Sequence, residues 1–385
     1  MGTGRWTNAF LDEMRQVGDP PADAVVASLF ESATTYSTWD LMKTLVGNDF
    51  PTPGQLPPVL QDYLEATSRI PPVDPAIVEG GQRLFERCGP EILLVLACYS
   101  LPASYAARKG VQVLYRTGYL NNRANHRLFE TTQMVMDVMV PGGLNADGRG
   151  VRSAQKVRLM HAAVRRLILT DPENPWDPEF GVPINQEDLM GTFLVFTQLI
   201  IDGLHRLGIV TSPEEDQGFL ETWKVIGRLM GIQESMIPAN MAEAKFLCDL
   251  IQARQVQSCP EGQSMNDALL QMLEGKMPPG PWRSWPAALM RFLLPPEVAD
   301  GFALPHHRFE EHILERAAEF RHEAEPAGAK NDPRLWAIRK CALLLMQAFV
   351  SAELGGKRTP FILPTNLHHE WARSHRTTVW DQLRR

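Results

Sequence analysis

An all-α fold is predicted by three observations. Alternating strand patterns are scarce, and apolar residues recur at three- and four-residue spacing along most of the chain. Clusters of proline and glycine punctuate these windows as turns do between helices. At 385 residues, 44% hydrophobic and 22% charged, the chain has the composition of a soluble globular protein long enough to bury a substantial core.

Residues 1–50 read as two or more short helices, and 51–78, rich in proline (PTPGQLPPVL, IPPVDP), reads as a stiff surface strap. A helical run from Val78 to Val140 follows, broken near Pro102 and Gly110. It ends at VPGGLNADGRG, residues 140–150, expected to be a loop of long reach. Val151–Gly231 holds three predicted helices, 240–256 another, and 276–297 is rich in proline and tryptophan. Helices are expected again at 308–325 and 333–353, before an irregular basic tail from Lys357. No stretch has the composition of a flexible interdomain linker, so 1–385 is expected to be one domain.

The net charge of −7 argues against a nucleic-acid partner, which would call for a basic stripe. Cys88, Cys98, Cys248, Cys259 and Cys341 are odd in number and scattered, which suits reduced thiols in a cytoplasmic protein. The start, MGTGRWTNAFLDEMRQ, lacks the apolar core of a secretory signal. The longest uncharged apolar run, Ile92–Ala107, is interrupted by Pro102 and shorter than the roughly 20 residues of a membrane span. H-E-x-x-H, paired E-x-x-H, G-x-S-x-G and P-loop patterns are absent.

The most informative segment is VRSAQKVRLMHAAVRRLILTD. As a helix it puts Val157, Met160, His161, Val164 and Ile168 on one inward face, with Arg158 and Arg165 on a shared flank one turn either side of the imidazole. An imidazole in an apolar wall with cations beside it suits a haem, the nitrogen toward iron and the guanidiniums toward propionates. The same spacing also suits a core histidine bonded to a carbonyl, with arginines reaching solvent. Downstream, Asn185 is a predicted N-cap with Glu187 and Asp188 in the first turn. The helix it opens carries Leu189, Thr192, Phe193, Phe196, Leu199, Ile200 and Leu204 as a nearly all-round apolar rod ending at His205.

R-L-M-H-A-A-V-R at 158–165, W-D-P at 176–178, P-I-N-Q-E-D-L at 183–189, T-F-L-V-F at 192–196 and L-G-I at 207–209 occur in order. Together they resemble the catalytic domain shared by bacterial latex-clearing rubber oxygenases and the fungal oxygenase of mycophenolic acid biosynthesis, over about residues 120–235. The resemblance implies a globin-related helical core at 120–235, with flanking helices at 1–119 and 236–385. It also implies a non-covalent haem b, and dioxygen used to cleave carbon–carbon double bonds in polyisoprenoid or related apolar chains. It places Arg158 and His161 at the iron's distal side and leaves Arg165, Thr192, Phe193 and Phe196 as further cofactor or pocket residues. The family's T-W-H triplet, which carries the proximal iron ligand, reads Thr192, Phe193, Leu194 here. Three alternatives stand: His161 is the axial ligand, another histidine such as His205 or His126 serves, or haem binding is lost. His205 lies eleven residues beyond Leu194, roughly 16 Å along a continuous helix. A haem-free isoprenoid or lipid carrier and a peroxidase-like haem protein are the competing functions.

Overall fold

The computed structural model describes residues 3–31, 56–68, 75–117, 124–145, 148–277 and 279–324. Among them the regular structure is helical, and the one strand-like pairing is an isolated antiparallel bridge between Ala107 and Val256. The helix predicted at 333–353, the basic tail and Cys341 lie outside the described residues.

Helix α1 (Asn8–Met14) starts at Thr7, whose hydroxyl accepts from the Phe10 N–H, and α2 (Pro20–Glu31) opens on two prolines. Within the expected strap of 51–78, Pro58 starts a helix instead, α3 (Pro58–Ser68), and residues 51–55 and 69–74 of it lie outside the described residues. Proline at the first helical position lacks an N–H the helix would not have used, and its fixed φ is already helical. Helix α4 (Pro75–Val95) continues through a π-turn at Leu96–Ser100 into the short α5 (Leu101–Tyr105). Pro102 has no N–H to give the α-helical ladder, and the Leu101 N–H reaches back to the Leu96 carbonyl. Then come α6 (Val111–Arg116), α7 (Ala124–Met139) and α8 (Arg149–Leu169). In the glycine-rich link before α8, whose residues 146–147 lie outside the described set, the two described ends are held close together, where a loop of long reach was expected. The Gly150 N–H donates to the Gly143 carbonyl at 2.8 Å, and a Cβ on Gly150 would lie equally close to that oxygen.

The apolar rod expected to run unbroken to His205 is two helices, α9 (Gln186–Phe196) and α10 (Gln198–Arg206). Thr197, fully buried, leaves helical geometry at φ −119°, ψ −82°, and its hydroxyl donates to the Phe193 carbonyl. Helix α11 (Pro213–Leu229) begins with a capping box of Ser212 and Glu215, and α12 (Met241–Gln255) with Asn240. Helix α13 (Pro260–Lys276) escaped the periodicity reading. Its inward set, Met265, Leu269 and Met272, is sparse between glycines and polar residues. Helices α14 (Trp285–Leu293), α15 (Pro296–Gly301) and α16 (Arg308–Ala324) complete the described fold.

The main core gathers apolar faces of α4, α9, α10, α11, α12 and α14, while a second lies between α2, α3 and α8. Helices α4 and α11 cross at glycines, where a Cβ on Gly81 would lie 2.8 Å from the Gly218 carbonyl and against the Thr222 hydroxyl. Gly81→Ala is therefore expected to destabilise the fold by about 1–3 kcal/mol, read as a lower denaturant midpoint with an unchanged slope.

Candidate active site

Between the two cores lies a cavity of about 310 Å³, at the lower end of the range for small-molecule sites. One wall is the predicted face of α8, with Val157, Met160, His161 and Val164 all lining it. Another part of the wall is α9, which contributes Leu189, Thr192, Phe193, Leu194 and Phe196, and Ile184 joins it from the preceding turn. Helix α11 adds Trp223 and Ile226, and α12 adds Cys248, Ile251 and Gln255. Phe196 and Trp223 stack with ring centroids 4.9 Å apart, closing one end of α9's wall with aromatic surface.

The P-I-N-Q-E-D-L segment explains how α9 is held. The Asn185 side chain accepts from the Asp188 N–H at 2.9 Å, satisfying one free donor of the first turn. The Gln186 amide donates to the Gly18 and Gly231 carbonyls at 2.9 and 3.0 Å and accepts from the Gln233 N–H at 2.9 Å, joining three chain segments. The fully buried Glu187 carboxylate receives Arg15 at 3.2 Å, Arg254 at 2.9 Å and the Gln255 amide at 3.1 Å. Burial raises the Asp188 carboxyl above its ordinary value, although the Arg15 guanidinium opposes the shift.

Arg158 and Arg165 share a flank of α8 as expected, but neither guanidinium lines the cavity. Arg158 grips Asp19 with two bonds, Nε at 2.5 Å and Nη2 at 2.8 Å, both side chains being buried. Burial alone would lower the Arg158 pKa, and the hydrogen bond and charge of Asp19 outweigh it and raise it. Arg165 pairs with Asp23 and donates to the Pro183 and Ile184 carbonyls, each at 2.9 Å. Ile184 has φ +53°, a costly conformation for a β-branched residue, and Arg165 holds that turn where it feeds α9 into the cavity. Where contact with propionates or oxygen was expected, these arginines meet the carboxylates of Asp19, just before α2, and Asp23, within it. Those carboxylates are distant in sequence, and the helix pattern gave no sign of them.

His205 is not at the cavity either. Its ring is half exposed at the end of α10, with Nε2 2.6 Å from the Thr211 hydroxyl and 3.9 Å from the Asp216 carboxylate. The break at Thr197 separates α10 from the α9 face that it was expected to continue. His126 lies on α7, its side chain outside the described residues. Leu194, 1% exposed, is in the cavity wall and presents only hydrocarbon. Among the described residues, His161 is the one histidine lining the cavity.

Trp223, Cys248 and Gln255 are wall residues that sequence reasoning did not single out. Trp223 was findable, since Phe219, Leu220, Trp223 and Ile226 repeat at helical spacing, whereas Cys248 and Gln255 follow no motif. Burial pushes the Cys248 thiol up to about 12, so at neutral pH it is a protonated, apolar wall group. Peptide mapping after alkylation near pH 8 is expected to find Cys248 unmodified in the folded chain and modified after denaturation; rapid native labelling would contradict the assigned burial.

The donor set bears directly on which group the cavity suits. No cluster of three or more His, Cys, Asp or Glu side chains able to hold a metal ion occurs among the described residues. A bare metal ion is poorly served by one imidazole in a hydrocarbon wall. A haem, whose iron is already held by its porphyrin, would need one protein nitrogen and apolar faces around it, and His161, Phe193 and Phe196 line the cavity with those groups.

Comparison with known proteins agrees with the architecture. Residues 92–322, more than half of the chain, match the family described as "ER-bound oxygenase mpaB/B'/Rubber oxygenase, catalytic domain". A rubber oxygenase from Streptomyces sp. (strain K30) is 27% identical over 317 residues, covering 78% of this chain and 74% of the relative. The solved structure of a latex-clearing protein in the closed state superposes with a TM-score of 0.72 at 23% identity, covering 87% of this chain and 90% of the other, which shows a shared helical fold. With the cavity, its helical frame and this match together, the chain belongs to the ER-bound oxygenase mpaB/B'/rubber oxygenase catalytic-domain family and is an oxidoreductase.

Proposed function

We propose that the protein is a haem b-dependent oxygenase that uses dioxygen to cleave a carbon–carbon double bond in an apolar, isoprenoid-like chain, with His161 the residue that would hold the iron. The observation that carries this reading is His161 itself, set among apolar residues in the wall of a cavity that Leu194 also lines. The named activity of the Streptomyces relative points to polyisoprene as the model for the substrate class. Haem iron, when bound, would supply the activation of dioxygen that protein side chains cannot. The chain's own residues bind and orient. Phe193, Phe196 and Trp223 give the cavity flat apolar surfaces that shield an alkene from water, and Met160, Val157 and Val164 complete the lining beside His161.

Thr192 faces the cavity while its hydroxyl donates to the Asp188 carbonyl at 2.9 Å, so it contributes mainly its methyl group. Arg158 and Arg165 become positioning residues, fixing the helix that carries His161 and the turn that starts α9. Leu194 favours a second reading, a haem-free binder of isoprenoids or lipids in the same cavity.

Reconstitution with haem b separates the two. A stoichiometric Soret band, followed by oxygen-dependent conversion of a polyisoprene or squalene sample to carbonyl products, is the expected result. Tight binding of such chains with no Soret band would favour the carrier, and a band with peroxide-dependent but no oxygen-dependent turnover would favour peroxidase-like chemistry.

A further inference from the structure

Gln255, the last residue of α12, lines the cavity and is 5% exposed. Its backbone is pinned there: the Arg108 N–H donates to the Gln255 carbonyl at 2.9 Å, and the Gln257 N–H donates to the Ala106 carbonyl at 3.0 Å, either side of the Ala107–Val256 bridge. The side-chain Nε2 donates to Glu187 Oε1 at 3.1 Å, an oxygen that also receives Arg254, while Arg15 donates to Glu187 Oε2. Turning the amide over would set its oxygen against a carboxylate oxygen, so the orientation is fixed and Oε1 is left as an acceptor. No donor among the described residues reaches that buried oxygen.

A buried acceptor without a donor costs about 1–3 kcal/mol, and folded chains keep few of them. The surrounding charges set the kind of donor that would relieve it. The buried ions balance, Arg15 and Arg254 against Glu187 and Asp188, and Asp12, the outer partner of Arg254, is exposed to solvent. A further cation is therefore not called for, and a carboxylic acid would already have lost its donor proton in neutral water. A hydroxyl is neutral, donates, and suits the neighbouring hydrocarbon of Leu101, Ile251 and Val256. We propose that Gln255 Oε1 accepts a hydrogen bond from a hydroxyl group of the ligand, so that the cavity selects an isoprenoid alcohol over an isoprenoid hydrocarbon or carbonyl compound. The inference rests on the isoprenoid reading of the cavity and not on haem. Trp223, also in the wall and buried, carries an indole N–H with no acceptor among the described residues. That donor serves an alcohol and an aldehyde alike, since each offers an oxygen, so discrimination between the two reports on the acceptor at Gln255.

Calorimetric titration with farnesol and with farnesal, the aldehyde of the same carbon skeleton, tests this on the haem-loaded protein, or on the chain as purified if it takes up no haem. Wild type is expected to bind farnesol about tenfold or more tighter than farnesal, because the aldehyde leaves Oε1 without a donor. Gln255→Leu replaces the amide by hydrocarbon and leaves Glu187 its two arginines. The variant is expected to bind the two compounds with affinities within about twofold of each other. A general loss of packing would weaken both ligands and keep their ratio. Equal affinity of wild type for the two compounds, or a farnesol preference that survives in Gln255→Leu, would overturn the proposal. Binding of neither compound would overturn it together with the isoprenoid reading of the cavity, whereas the Soret band bears on the haem reading alone. If circular dichroism shows Gln255→Leu unfolded, the comparison of the two ligands on wild type decides.

Discussion

His161→Ala is expected to abolish oxygen-dependent alkene cleavage and to displace or remove the Soret band of the reconstituted protein. The effect should be at least a hundredfold on activity, since loss of an outer partner of a metal ligand alone costs about 10–100-fold. The physical reason is the shortage of substitutes. No other histidine lines the cavity among the described residues, Leu194 has no donor atom, and the Cys248 thiol holds its proton to about pH 12. His161→Gly leaves a hole the shape of the lost ring, so added imidazole should restore the band and part of the activity. A structural histidine would show no such rescue. A Soret band unchanged in both variants would transfer the axial role elsewhere and remove the basis of the proposed function.

Arg158→Ala is expected to cost about 3–5 kcal/mol of stability, because it strands the Asp19 carboxylate in a buried site. Asp19 is 3% exposed and receives both bonds from this one guanidinium, so water cannot take over its solvation. Arg158→Lys should recover little, since an ammonium cannot reproduce the two-pronged contact. The paired change Arg158→Met with Asp19→Leu should lie much nearer to wild type, since replacing both members of a buried pair by apolar groups removes the stranded charge. Denaturant midpoints for the three variants check this pattern. An Arg158→Ala variant as stable as wild type would mean that the pair contributes nothing net, and would return Arg158 to the candidates for direct contact in the cavity.

Much of the architecture was legible before any coordinates. The 3.6-residue repeat in 151–169 gave α8 and its inward face, and Val157, Met160, His161 and Val164 do line one wall together. Asn185 was readable as a cap because capping is a contact between residues three apart. Ser212 with Pro213, Asn240 and Pro58 mark helix starts for the same local reason, although a strap was expected at the last. Helix α13 was missed because its inward residues are few and its stability comes from neighbours it meets only in the folded chain.

What the amino-acid sequence by itself determined is the helical class and the inward direction of His161, both of which follow from residue identity and short-range spacing. What the tertiary structure decided is which cations face the cavity. Arg158 and Arg165 stand on one flank of one helix beside His161, and periodicity gives all three similar standing. Their partners, Asp19 and Asp23, lie 139 and 142 residues away in the chain, and only folding brings α2 against α8. The break at Thr197 is likewise invisible in residue identity, since the equally buried Thr222 makes the same hydroxyl-to-carbonyl bond and stays helical within α11. Spacing fixes the direction of a side chain on its own helix, but the charge or void that it meets there is supplied by elements remote in sequence.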